Sequence, residues 1–499
     1  MLDHGTMWDQ YGVIPDVLPF TWDFPRADIY ELLSPDLLHQ VIKGAFKDHL
    51  IAWVGKYLEN EHGKAKAKKI MADIDRCIMA VPLFLGLRRF PEGRGFKQWT
   101  GDNSKALMKV SHVPPQMLHT FSAFLDFCYL VCRNVVDEAT LTAIDAALAR
   151  YHQEQAILAE SGVAPNGFCL PRQHSLPHYC YLIQEFSAPN GLCSSITESK
   201  HIKAVKELWR QSSQYKALSQ MLTINDRLDK LAVACMDFVD RRMMVGPSAR
   251  PLPPSAPAPP LVANEDKDDD GGASDKRKIL GEVILAKTPM RQYPRNTIAL
   301  AQHLNLPQLI PLIHCFLYLQ ADHNLDIPLT HVPLDNCPDA LSSIKVFPSA
   351  TAKFYAPSDQ SGVPDMLHEH IRAVHPWHGG APRYDCVFVE GDPDLPGFWG
   401  LLAAPSITYP CTLVTWFLAM GDEPCPDVGM WMVEPDVDHR RRQMMDIIHI
   451  DTILHGAHLI GIYGDTFLPQ HFKYSNTLDR FKAFYINKYV DHHANEIAF

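Results

Sequence analysis

The feature that most constrains this chain is residues 246–276, GPSARPLPPSAPAPPLVANEDKDDDGGASDK. A Pro-rich run followed by an acidic block buries too little apolar surface to offset the entropy lost on ordering it. It reads as a disordered linker, and it divides the 499 residues into two parts. The expected class is α+β: a mainly helical domain over 1–245, the linker over 246–276, and a mixed domain rich in short strands over 277–499.

Charge is uneven between the parts. Residues 1–245 carry 27 Lys and Arg against 27 Asp and Glu, whereas 277–499 carry 16 against 24. Contact with nucleic acid is therefore expected in the first part, where basic clusters are not outweighed. Twelve cysteines without a CxxC pair, scattered through apolar runs, suit reduced thiols. The acidic start MLDHGTMWDQYGVIPDV has no apolar signal-peptide core, and no run of eighteen apolar residues occurs. The expectation is a nuclear or cytoplasmic protein, neither secreted nor membrane-bound.

Residues 1–33 interleave Trp8, Tyr11, Phe20, Trp22 and Phe24 with Pro15, Pro19 and Pro25, an extended segment that reads as the middle of a larger protein. Ser34-Pro35-Asp36 then opens a helix, with Ser34 as the cap and Pro at the first position. Leu38, Val41, Ile42, Ala45, Phe46, Trp53, Val54 and Tyr57 recur at helical spacing. Further helices are expected over Gln116–Asn134, Glu138–Glu160 (stopped by Gly162), around His174 and His178, and over Lys216–Met243. Beyond the linker, Tyr293–Gln320 reads as helix. Short strands are expected at Ile344–Tyr355, Tyr384–Glu390, Cys411–Leu418, Gly429–Val433, Asp446–Ile453 and Ala457–Tyr463. The tail Thr477–Asp491 reads as a helix with Leu478, Phe481, Phe484 and Tyr485 inward.

Three patterns carry chemistry. The turn Pro189-Asn190-Gly191 leads to Thr197, a helix cap, with Glu198 in the first turn and His201 three residues on. Such a pair can bind a metal or orient a nucleophile, although complementing the helix dipole is the commoner role for the carboxylate. Asp36 and His39 form a second acid–imidazole pair at a helix start. The loop Pro82–Gly101 interleaves Arg88, Arg89, Arg94 and Lys97 with Phe90, Phe96 and Trp99, a mixture suited to phosphates and stacked bases. An ordinary packed loop has the same composition. His492-His493 and Pro376–Gly380 are further candidates for metal, with core or surface histidine as the more frequent outcome.

Taken together, several blocks resemble fungal, basidiomycete Plavaka-type transposases, elements related to the CACTA and KDZ groups. They are Asp36-Leu-Leu-His-Gln-x-x-Lys-Gly-x-Phe-Lys-Asp-His-Leu50, Gly86-Leu-Arg-x-Phe90, Gln98-Trp-Thr-Gly101, Pro171-Arg-x-His174 and Thr197-Glu198-x-x-His201. Phe354-Tyr-Ala-Pro-Ser-Asp359, Asp427-x-Gly-Met-Trp-x-Val433 and Tyr485-x-Asn-Lys-Tyr-x-Asp-His-His493 are similar to the same family's tail. The resemblance implies an RNase-H-like core whose acidic residues hold Mg or Mn for phosphodiester strand transfer. It makes Asp36-x-x-His39 the element ahead of the last acidic residue, with Glu198 as that last carboxylate and a helical insertion between them. Asp36, Glu198 and His201 become metal ligands, and Asp36, His39 and Glu198 the catalytic set. DNA and transposase-like proteins become the expected partners. In the family the first catalytic aspartates lie upstream of the Asp-x-x-His element, whereas here 35 residues precede Asp36. The chain thus reads as a truncated, inactive transposase relic that binds no metal tightly. Two alternatives stay open: a metal-dependent nuclease or hydrolase using Asp36, His39, Glu198 and His201, joined by His174, and a non-catalytic nucleic-acid or protein binding module.

Overall fold

The computed structural model describes residues 3–11, 18, 20–28, 32–84, 86–95, 101–108, 114, 117–195, 201–241, 243, 271–274, 281–321, 343–362, 364–375, 381–390, 409–464, 467–470 and 472–499. The architecture is α+β, helical before the linker and built of short antiparallel strands after it. By contacts the chain divides into Met1–Gln40 with Pro189–Lys267, and Val41–Ala188 with Asp268–Phe499. The division does not follow the linker. Residues 41–188 pack with the C-terminal half because their apolar faces and polar side chains find partners there. Among the described residues, no helix is long and apolar enough to cross a membrane.

Leu37–Ile51 is wound as a π-helix and runs into the α-helix Ala52–Ala80, α1, which is kinked at Gly63 (φ 74°). In the π segment Leu37, Leu38, Val41, Ile42, Ala45, Phe46 and Leu50 are all buried. Their spacing of four and five places them on one face of an i→i+5 winding. Each large apolar side chain so buried contributes about 1.5–3 kcal/mol. The expected helices appear as Leu118–Val131 (α2) and Glu138–Glu154 (α3), the latter capped by Asp137, which accepts from Thr140 N at 2.7 Å. A short turn, Ala156–Glu160, follows and ends at Gly162 (φ 70°). Tyr179–Phe186 (α4) packs beside them, with Phe127 against Tyr179 and Phe124 against Tyr151.

The main sheet has the order β1-β4-β3-β2, with β5 also paired to β4. These strands are Gly271–Ser274, Gly281–Leu285, Ser349–Tyr355, Met366–Val374 and Arg383–Tyr384, numbered β1 to β5. β1 corrects the linker expectation, since its four residues pair antiparallel with Met366–Glu369. A Cβ on Gly271 would lie 2.2 Å from His368 O, so this glycine permits a close approach instead of marking flexibility. The remainder of 246–276 lies outside the described residues. Two-stranded pairs join Cys386–Val389 (β6) to Ile453–Ala457, and Cys411–Thr415 (β7) to Met445–His449. A four-stranded sheet sets Phe417–Ala419 beside Met432–Pro435, then Phe484–Ile486, then Leu459–Gly461.

The tail is the clearest departure from the sequence expectation. Only Thr477–Arg480 is helical, and Phe484–Ile486 is a strand held between two neighbours. Aromatic and β-branched side chains fit that pleated, half-buried place, and Phe484 is fully buried in it. Residues just beyond bind the helical hairpin: Tyr489 Oη donates to Asp126 at 2.8 Å, Lys488 Nζ sits 2.8 Å from the same carboxylate, and Tyr129 Oη donates to Asp491 O at 3.0 Å.

The final helix, His492–Ala498 (α5), docks over a buried ionic cluster. Asp491 caps it by accepting from Ala494 N at 2.6 Å, and Asp359 accepts from His492 N and His493 N at 3.0 Å each. His492 is buried and His493 half-buried, the latter stacking on Phe354 at 4.3 Å. On β4, Glu369 Oε1 accepts from Gly456 N at 2.6 Å, and its Oε2 lies 3.6 Å from His455 Nε2. The same nitrogen lies 3.6 Å from Asp491 Oδ2. Burial pushes the Glu369 carboxyl up to about 7. Burial pushes His455 down, but Asp491 and Glu369 outweigh it and leave it above its ordinary value. Burial, aided by His455, lowers His493 to about 4.

Glu369 and His455 bind protons more tightly folded than unfolded, so their stabilisation is lost as pH rises through their folded values. His493 acts in the opposite sense, its cost falling as pH rises from about 4 to its ordinary 6.5. The Glu369 contribution declines between its ordinary 4.5 and about 7, opposed by the His493 gain up to 6.5, and the His455 contribution declines above 6.5, so thermal unfolding of the whole chain should show stability falling as pH rises through neutrality. Glu369→Gln keeps an acceptor for Gly456 N and should flatten the decline. An unchanged slope in that variant would assign the decline to other groups.

Candidate functional site

Asp36 lies where the Leu37–Ile51 helix begins, and it, not Ser34, is the cap. Its Oδ1 accepts from Leu38 N at 3.2 Å, and its carbonyl accepts from Gln40 N at 3.1 Å. Gln40 Oε1 accepts from Asp36 N at 3.2 Å, a reciprocal capping box stretched by one residue. A carboxylate at this point also favours the positive end of the helix, which a serine cannot match.

The same carboxylate holds the loop that follows the turn Pro189–Gly191. Ser194 N lies 3.2 Å from Oδ1, Ser194 Oγ lies 2.9 Å from both oxygens, and Cys193 Sγ approaches Oδ1 at 3.6 Å. His39 Nδ1 is 2.6 Å from Oδ2. Partial burial raises the Asp36 carboxyl, but hydrogen bonds from His39 and Ser194 outweigh it and hold it below the ordinary 3.8.

Asp, His and Ser side chains this close invite comparison with a nucleophile triad. In a triad the imidazole separates the two partners, one on each nitrogen. Here a single nitrogen faces both, since His39 Nδ1 is also 2.9 Å from Ser194 Oγ. Ser194 Oγ donates to the carboxylate. The arrangement is a staple between a helix start and a loop. Sequence reasoning found Asp36 and His39 but missed Cys193 and Ser194; the only local signal was the turn just before them.

Glu198 lies outside the described residues, and so do Thr197, Lys97 and Trp99. His201 is exposed beside the π-wound Ile202–Glu207. The donors around Asp36 do not fit a Mg or Mn site. An ionised carboxylate has about four lone-pair positions, and Leu38, Ser194, Cys193 and His39 crowd around all of them. Among the described residues, no group of three His, Cys, Asp or Glu side chains is assembled to hold a metal ion. His174 and His178 lie on the surface with their Nε2 atoms 3.3 Å apart. The Pro376–Gly380 loop is outside the described residues.

The arginines of the basic loop have partners within the fold. The turn through Gly93 (φ 57°) brings Arg94 onto Asp75, with Nε 2.9 Å from Oδ1 and Nη2 3.2 Å from Oδ2. The Arg94 backbone N–H donates to Asp75 as well, at 2.9 Å. The Arg89 guanidinium lies 3.5 Å from the centre of the Tyr474 ring, a cation–π contact. Arg88 is exposed and donates to Asn103. Phe90 packs inward.

A family model described as Plavaka transposase matches residues 1–54. Over that stretch the chain is similar to Plavaka transposases. The match takes in the whole π-helical segment with Asp36 and His39, and it supports a transposase-derived origin. No curated protein and no solved structure matches the chain.

Asp36→Ala should destabilise the chain by about 1 kcal/mol at neutral pH, the usual cost of a lost carboxylate cap. Because the carboxyl is held below its ordinary value, the difference from wild type should shrink as pH falls through the folded value. Paired urea titrations at neutral and strongly acidic pH measure this. A difference independent of pH would assign the effect to packing instead of charge.

Proposed function

We propose that this chain derives from a fungal Plavaka-type DNA transposase of the CACTA/KDZ-like group and performs no strand transfer by itself. In this reading Asp36 and His39 are retained as structure, a helix cap and loop staple in place of a metal ligand and its neighbour. The observation that carries the proposal is the saturation of the Asp36 carboxylate by protein donors, within the stretch matched by the transposase family. A metal ion would have to displace the donors of Ser194 and His39 to reach it. No catalytic step is routed through Mg or Mn here. The ordinary surroundings of Arg89 and Arg94 support the same conclusion, because both cations serve the fold before any phosphate.

The test is incubation of the purified chain with labelled DNA and Mn²⁺ or Mg²⁺. Cleavage no greater than that of a metal-free control is expected, with Glu198→Gln indistinguishable from wild type. Metal-dependent cleavage that disappears in Glu198→Gln would establish a working nuclease and overturn the proposal.

A further inference from the structure

Two exposed histidines, His174 and His178, are held in a fixed relation just ahead of α4. Pro171 opens a single helical turn that ends at His174, and Leu176–His178 follows as a 3-10 turn with Pro177 near its start. Backbone bonds from Ser175 N to Pro171 O (3.1 Å) and from His178 N to Ser175 O (3.3 Å) keep the two turns wound together. The residues between and beside the histidines anchor the segment. Gln173 is buried, its Oε1 accepting from Tyr151 Oη at 3.2 Å, and Leu176 and Tyr179 are fully buried. His174 and His178 are thus left on the outside, four residues apart, as neighbours on one helical face. Their Nε2 atoms converge to 3.3 Å, with the two rings at 77° to each other.

We propose that His174 and His178 form a zinc-binding clamp, two imidazoles on one ion with its other positions open to solvent. The separation of the two nitrogens carries the proposal. Ligand nitrogens about 2.05 Å from one Zn²⁺ at the tetrahedral angle stand about 3.3 Å from each other. A right-angled pair, as in tetragonal Cu²⁺ or Ni²⁺ sites, would stand at about 2.9 Å. A good N–H hydrogen bond is shorter than the observed gap as well, at about 2.7–3.2 Å. Among the described residues neither Nε2 has a second hydrogen-bond partner, so an ion displaces nothing in reaching them. This is the reverse of the Asp36 carboxylate, whose oxygens are already taken. Imidazole Nε2 suits zinc, whereas Mg²⁺ and Ca²⁺ select oxygen. Arg172, the neighbouring cation in sequence, is paired with Asp48. The anchored turn also holds the two ligands before any ion arrives, which lowers the ordering cost of binding. Two protein ligands supply about half of what a four-ligand structural site does, which sets a Kd on the order of 1–100 µM. Water fills the two remaining tetrahedral positions. The clamp shares no residue with the Asp36 staple and stands apart from the transposase reading.

Calorimetric titration of Zn²⁺ into the untagged full chain tests the proposal. The chain has 25 histidines, so single variants have to locate the site. Wild type should bind one Zn²⁺ in the micromolar range. His174→Ala and His178→Ala should each weaken that binding by on the order of 10-fold or more, because either change leaves a single imidazole. His439→Ala, which removes an exposed histidine on another loop, should bind as wild type does. A tenfold excess of Mg²⁺ should leave the Zn²⁺ isotherm unchanged. Both clamp histidines are exposed, and far-UV circular dichroism and thermal unfolding without metal should be unaltered in their alanine variants. A wild type that takes up no Zn²⁺ below about 1 mM overturns the proposal. Binding that survives either clamp substitution overturns it too, since a clamp needs both rings. So does an equal loss in His439→Ala, which would mean zinc scattered over surface histidines.

Discussion

Much of the larger unit depends on how a few buried charges are neutralised. Glu369 sits on the central strand of the main sheet, and His455 and Asp491 reach it from a neighbouring strand and from the cap of the last helix. A lone carboxylate in that place would be costly. The cost is met by one backbone donor and one imidazole that also faces Asp491, so the three segments are bound to a single arrangement. Asp126 makes a similar link between the helical hairpin and Lys488 and Tyr489. Residues 487–494 are therefore where sheet, hairpin and terminal helix meet, which explains why a long helix could not form there.

Asp36 follows the same logic in the smaller unit. Its acceptor capacity is used by a helix start, a serine hydroxyl and an imidazole, and the bonds from His39 and Ser194 lower the carboxyl's affinity for a proton. Groups of this kind resemble catalytic ones in composition. They differ in geometry: a catalytic set leaves an atom directed at a substrate, whereas this one turns its donors and acceptors toward each other. Here His39 Nδ1 meets both the carboxylate and the serine hydroxyl.

Much of the fold was legible. The helices at Leu118–Val131, Glu138–Glu154 and Ala217–Asp240 follow their apolar periodicity and punctuation by Asp and Gly. Most expected strands were located to within a few residues, because β-branched and aromatic runs between Pro and Gly have few other uses. Met366–Val374 was not foreseen, although it is the central strand of the main sheet. Its sequence, MLHEHIRAV, has the charge density of an exposed helix, and the burial of Glu369 makes sense only beside His455 and Gly456 N. In the candidate site Asp36 and His39 were visible through their i, i+3 spacing. Ser194 was not, since its partner lies 158 residues away.

By itself the sequence determined local matters: where helices start and stop, that a Pro-rich acidic stretch interrupts the chain, and that residues 1–54 are similar to Plavaka transposases. These depend on neighbours within one or two turns, where spacing is a sufficient description. Tertiary structure alone decided that residues 41–188 pack with the C-terminal half, that Gly271–Ser274 joins a sheet, and that Asp36 is a staple. Each rests on donors and acceptors far apart in the chain, and a carboxylate's role is set by the partners that reach it.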